Sequence, residues 1–71
     1  MKKKYNLGKI ASFIKKMRAQ QDMSRDQLAK MAKVNYNTII KLESGANKNP
    51  TIGTLIGIAN VLGASVEDMI S

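Results

Sequence analysis

Apolar residues recur along this chain at three- and four-residue intervals from one end to the other. The interval is broken only by short groups of capping and turn-forming residues. Leu7, Ile10, Ile14 and Met17 form one stripe of a first helix over about residues 7–20, with Asn6 as its N-cap. Ser24-Arg25-Asp26-Gln27 has the form of a capping box. The Ser hydroxyl takes an orphan N–H while Gln27 reaches back, opening a second helix with Leu28, Ala29 and Ala32 on its inner side. After Lys33-Val34-Asn35, Asn35 caps a third helix through about Ser44. Ile39 and Leu42 face inward, and Gly45 is its left-handed stop. Thr51 caps a fourth helix with a stripe of Ile52, Leu55, Ile58, Ala59 and Leu62, and Gly63 ends it. Ser65 caps a last turn, where Glu67 and Asp68 suit the positive helix end. The expectation is an all-α chain of five short helices.

A chain of 71 residues holds one small domain, so a separate catalytic or inducer-binding domain does not fit within it. With no Cys and no His, disulfides, thiolate sites and imidazole sites are excluded. No apolar run approaches the roughly 18 residues of a membrane span, so no membrane association and a cytoplasmic location are expected. The charge is strong and uneven. Residues 1–33 carry ten basic residues against two acidic ones, whereas residues 51–71 carry two acidic residues and no basic one. A basic field on a packed body points to a polyanion. Residues 1–6 form a basic tail, with Lys2, Lys3 and Lys4 either an arm along a nucleic-acid backbone or a frayed end, and residues 7–71 form the domain.

Two helices of about two turns joined by three residues have helix-turn-helix geometry. The run from Ser24 through Leu28, Ala29, Ala32, Val34, Ile39, Leu42 and Glu43 to Gly45 resembles the lambda-repressor-like (Xre/Cro) helix-turn-helix family. Ile14 and Met17-Arg18 before it, and Pro50, Thr54-Leu55, Ile58-Ala59 and Leu62 after it, extend the likeness over about residues 7–70. The resemblance implies a compact five-helix lambda-repressor-like domain with helix three, about residues 35–44, entering the major groove of double-stranded DNA. It also implies that Arg18 and Glu43 are a structural ion pair rather than a DNA contact.

Projected at about 100° per residue, Tyr36, Asn37, Ile40, Lys41 and Ser44 form one stripe opposite Ile39 and Leu42. Tyr36, Asn37, Ile40 and Lys41 are the candidate base readers. Asn37 can pair with adenine N6/N7 and Lys41 with guanine O6/N7, while Ile40 can pack on a thymine methyl or instead meet protein. Candidate phosphate contacts are Ser24, Arg25, Lys33, Asn35, Thr38, Asn47, Lys48 and Asn49. Arg25 stands where the family often has a backbone-contacting Gln. The 47–49 loop is either a phosphate clamp or a solubilising segment.

Lys33 occupies a turn position where the family commonly has Gly; a left-handed residue there costs about 1 kcal/mol. Gly53 and Gly57 lie inside helix four, at about 1 kcal/mol each relative to Ala. With Asn60 and Ala64, flanked by Ile56 and Val61, they outline an uncharged face: a candidate protein interface or simply a poor helix. The leading function is a sequence-specific DNA-binding regulator acting as a homodimer, through occlusion of a promoter or through activation. The alternative is an antitoxin or adaptor whose main partner is a protein. Every carboxylate has a role in a cap, turn or ion pair, so neither enzymatic activity nor a cofactor is expected.

Overall fold

The computed structural model describes residues 8–47 and 49–70. Five helices follow one another: α1 (Lys9–Gln20), α2 (Arg25–Ala32), α3 (Tyr36–Ser44), α4 (Ile52–Leu62) and α5 (Val66–Ile70), with no strand among the described residues.

Their starts are set by local chemistry. Ser24 Oγ accepts the Gln27 N–H (3.0 Å) and Gln27 Oε1 accepts the Ser24 N–H (2.9 Å), completing the capping box of α2. Asn35 Oδ1 accepts the Asn37 N–H (2.8 Å), Thr51 Oγ1 the Thr54 N–H (3.2 Å), and Ser65 Oγ the Asp68 N–H (3.1 Å). The start of α1 falls close to the described limit of the chain. It begins at Lys9 behind Gly8, which supplies no side-chain cap, and Asn6 and Leu7 lie outside the described residues.

The ends are equally local. Lys33, Gly45 and Gly63 all take left-handed conformations, at φ of 58°, 81° and 75°. Lys33 therefore fills the position where glycine is easiest, while the Val34 N–H returns to the Ala29 carbonyl (3.0 Å) and closes α2. Asp22 is also left-handed, at φ 52°, in the connection between α1 and α2. Asp tolerates this region better than most residues, and the sequence pattern did not signal it.

The core joins all five helices. Ile10 and Ile14 of α1, Leu28 and Ala29 of α2, Ile39 and Leu42 of α3, Leu55, Ile58, Ala59 and Leu62 of α4, and Met69 of α5 form one buried cluster. Each large side chain sealed there contributes about 1.5–3 kcal/mol of transfer free energy. α2 packs on α3 and α4, and α1 packs on α3 and α5, so α3 is gripped from two sides. Met69 carries no sequence signal of its burial, because a single turn has no apolar period.

α4 corrects two expectations. Ile52 is 63% exposed rather than part of the inner stripe. At 100° per residue it sits about 70° from the centre of the Leu55–Leu62 arc, at its edge. Gly57 points inward: a Cβ built there would stand 3.2 Å from the Ala32 carbonyl oxygen, so this glycine lets the end of α2 approach closely. Val61 also packs against the core, whereas Gly53, Ile56 and Asn60 are exposed and Ala64 is half-buried.

Candidate nucleic-acid interface

α3 divides cleanly. Ile39, Leu42 and Glu43 are buried, while Tyr36, Asn37, Lys41 and Ser44 are exposed and Ile40 is half-buried between them. The Asn37 side-chain amide and the Lys41 ammonium engage no partner among the described residues. A helix whose unpaired donors and acceptors lie along one solvent-facing stripe has the chemistry to meet base edges.

Beside this stripe, at the first residue of α2, lies a cluster of charge. Arg18 Nε donates to Glu43 Oε2 (2.6 Å) and Arg18 Nη2 to Oε1 (2.9 Å), a bidentate pair, while Arg18 Nη1 donates to the Met23 carbonyl (2.8 Å). The implied Arg18–Glu43 pair is thus formed across 25 residues of sequence. Arg25 joins it: Nε donates to Glu43 Oε1 at 2.9 Å. Burial raises the Glu43 pKa. The hydrogen bonds and charges of the two guanidinium groups outweigh that effect and hold the carboxyl below its ordinary value. Arg25 is held above its own ordinary value, by the Glu43 hydrogen bond and charge and then, against a small desolvation effect, by Tyr36.

Over residues 14–69 the chain matches the family model described as helix-turn-helix. The chain belongs to the lambda-repressor-like helix-turn-helix family. It is 39% identical over 56 residues to an uncharacterized HTH-type transcriptional regulator of Archaeoglobus fulgidus, covering 79% of this chain and 78% of that one. Its fold is similar to the N-terminal DNA-binding domain of SinR from Bacillus subtilis, with a TM-score of 0.84, 29% identity, and coverage of 87% of this chain and 90% of that one. SinR in complex with DNA matches with a TM-score of 0.81 and 30% identity, over 84% of this chain and 95% of that one. SinR in complex with SinI matches with a TM-score of 0.81 and 30% identity, over 84% of this chain and 58% of that one. Hydroxypropylphosphonic acid epoxidase from S. wedmorenis carries the same fold over 36% of its chain and 99% of this one, at 28% identity and a TM-score of 0.78. A helix-turn-helix unit therefore also occurs within an enzyme, and the fold alone does not set the activity.

The remaining candidates of this helix-turn-helix domain fall around α2 and α3. Ser24 Oγ and Asn35 Oδ1 accept their capping N–H groups, leaving the Ser24 O–H and Asn35 Nδ2 as donors. Lys33 is exposed in the turn and Thr38 is half-buried in the first turn of α3. Asn47 Oδ1 accepts the Asn49 N–H (3.0 Å), bending the loop after α3; Lys48 lies outside the described residues. Two contacts had no sequence signal. Gln21 Nε2 donates to the Leu62 carbonyl (2.9 Å), tying the end of α1 to the end of α4, and Arg25 reaches Glu43 across 18 residues. Each joins residues far apart in sequence whose pairing only the tertiary fold creates.

Proposed function

We propose that this domain is a sequence-specific double-stranded DNA-binding transcriptional regulator that acts as a homodimer. α3 enters the major groove with Tyr36, Asn37, Ile40 and Lys41 toward the bases. Ser24, Arg25, Lys33, Asn35, Thr38, Asn47, Lys48 and Asn49 meet the phosphates on either side. The observation that carries this reading is the split of α3 into an inner row fixed by packing and an outer row in which the Asn37 amide and the Lys41 ammonium engage no partner among the described residues. The archaeoglobal relative, named as a transcriptional regulator, and the complex of SinR with DNA support it.

One recognition helix spans only a few base pairs, so selectivity calls for two half-sites about one helical turn apart and hence for a dimer. Occlusion of a promoter by that dimer is the simplest regulatory action for a domain of this size. Selection of bound duplexes from a random pool tests the reading. The expected result is an enriched palindrome; retention without enrichment would leave only non-specific binding, and no retention would remove the function altogether.

A second reading has its own observation. Ile52 and Ile56 are 63% and 46% exposed on α4, beside Gly53 and Asn60, a surface without charge. The complex of SinR with SinI shows that a structural neighbour assembles with a protein. An antitoxin or adaptor would use the α4 surface for its partner and keep DNA binding for autoregulation. A stoichiometric heteromeric complex on purification from the native host would favour this reading; a plain homodimer would count against it.

A further inference from the structure

We propose that Glu43 is a positioning residue for DNA binding, which aims the Arg25 guanidinium at a backbone phosphate beside the recognition helix. The inference rests on the DNA-binding reading above and adds a role beyond the Arg18–Glu43 ion pair. The two arginines are held unequally by the same carboxylate. Arg18 is 16% exposed and engages all three of its guanidinium nitrogens, with Glu43 and the Met23 carbonyl as partners. Arg25 is 46% exposed and gives Glu43 only its Nε. Its terminal Nη pair is the edge not taken by the carboxylate, and two parallel N–H donors are the arrangement that matches two phosphate oxygens.

The anchor is rigid where the arm is not. Glu43 is 4% exposed, on the last turn of α3, and accepts three hydrogen bonds from α1 and α2. An arginine at an open helix terminus would otherwise lose several freely rotating torsions on meeting a phosphate. Held through Nε, it has already lost part of that freedom in the unbound protein, so binding has less to order. Tyr36, at the other end of α3, faces the same guanidinium. The fork therefore lies next to the groove-facing stripe rather than on a remote surface. Two arginines against one carboxylate leave a single positive charge in excess, which matches one phosphate anion.

A charge acting through the field would not depend on this geometry, and that difference is measurable. The full chain is titrated with a fluorescent random-sequence duplex across a salt series, as wild type, Arg25→Lys, Arg25→Ala, Glu43→Gln, and Glu43→Gln combined with Arg25→Ala. Thermal unfolding is recorded for each. Arg25→Ala is expected to weaken binding about tenfold and to make the salt slope shallower by about one unit. Arg25→Lys keeps the charge but cannot hold Glu43 and offer a fork together, so it is expected to recover less than half of the lost binding free energy. Glu43→Gln is expected to weaken binding in the Arg25 background more than in the Arg25→Ala background. Its stability loss through Arg18 should persist in both. Full recovery by Arg25→Lys, or an equal effect of Glu43→Gln in both backgrounds, would overturn the proposal while leaving DNA binding intact. Should Glu43→Gln fail to fold, the comparison of the exposed Arg25→Lys and Arg25→Ala variants still decides. No duplex binding by the wild type would overturn this inference and the function together.

Discussion

Alanine at Gly53 and alanine at Gly57 separate helix propensity from helix contact within a single helix. Both positions lie inside α4, where replacing Gly by Ala is worth about 0.8–1.0 kcal/mol of backbone entropy in a helix interior. A Cβ at Gly53 meets nothing within 4 Å, so only the entropic gain remains. Because Gly53 lies in the first turn, the mid-helix range of about 0.5–1 kcal/mol is the upper bound of that gain. At about 4–8 °C per kcal/mol for a domain of this size, the melting temperature of Gly53→Ala is expected to rise by at most about 8 °C. A Cβ at Gly57 stands 3.2 Å from the Ala32 carbonyl oxygen. That atom is backbone at the end of α2, immediately before left-handed Lys33, so it cannot rotate aside as a side chain could. Relief requires α2 to move by a few tenths of an ångström relative to α4, against the packing of Leu28 and Ala29. The gain at Gly57 is therefore offset, and Gly57→Ala is expected to be at least about 0.5 kcal/mol less stable than Gly53→Ala. Urea and thermal unfolding followed by circular dichroism measure both variants in the same buffer. Equal stabilisation by the two substitutions would refute the close-approach role given to Gly57.

Three further outcomes follow from the same geometry. Leu28→Ala empties a fully buried site on α2, the helix that packs on α3 and α4, and is expected to lose about 2–5 kcal/mol in urea unfolding; a loss below about 1 kcal/mol would show that the core collapses around it. Asn37→Ala is expected to cost about 1–3 kcal/mol on the selected duplex and to relax one base position, whereas an unchanged consensus from a repeated selection would remove Asn37 from the base readers. Acid should also weaken the fold in a defined sense. The folded Glu43 pKa lies below its ordinary value of 4.5, so its contribution is present above that value and is lost as pH falls through the depressed one. Asp68 adds to this, because the backbone and side-chain hydrogen bonds of Ser65 also hold it low. Melting temperatures should fall with pH in that window, and the fall should be shallower in Glu43→Gln; identical slopes would show that other carboxylates dominate.

What the sequence makes legible here is what the chain does to itself over three or four residues. Ser24 with Gln27, Asn35, Thr51 and Ser65 each satisfy an orphan N–H within the next turn, and Gly45 and Gly63 each relax a left-handed residue in place. Those interactions need no knowledge of the fold, and with the apolar period they determine all five helices. The exposed stripe of α3 is legible for the same reason, since facing residues on a short helix follow from its pitch. The Arg18–Glu43 pair came through family resemblance, not from spacing. Gln21 on the Leu62 carbonyl, Gly57 beneath Ala32, Met69 in the core and Arg25 on Glu43 left no mark. Each depends on how two helices happen to lie against one another, and a single sequence carries no spacing rule for that.

The contact that was least legible bears most directly on the proposed function. α3 has nine residues, and its backbone hydrogen bonds fix its length and pitch but not its rotation about its own axis. Ile39 and Leu42 hold it down, yet apolar contact is non-directional and tolerates small rotations. Glu43 does not, because three hydrogen bonds from two other helices converge on its two oxygens. A buried ion pair of this kind adds little net stability compared with well-packed apolar residues, but its directional hydrogen bonds restrict how α3 can turn. Asn37 lies six residues before Glu43 and Lys41 two residues before it, so any rotation at the carboxylate is transmitted to both. In the proposed complex, the buried carboxylate thereby sets where Asn37 and Lys41 can reach.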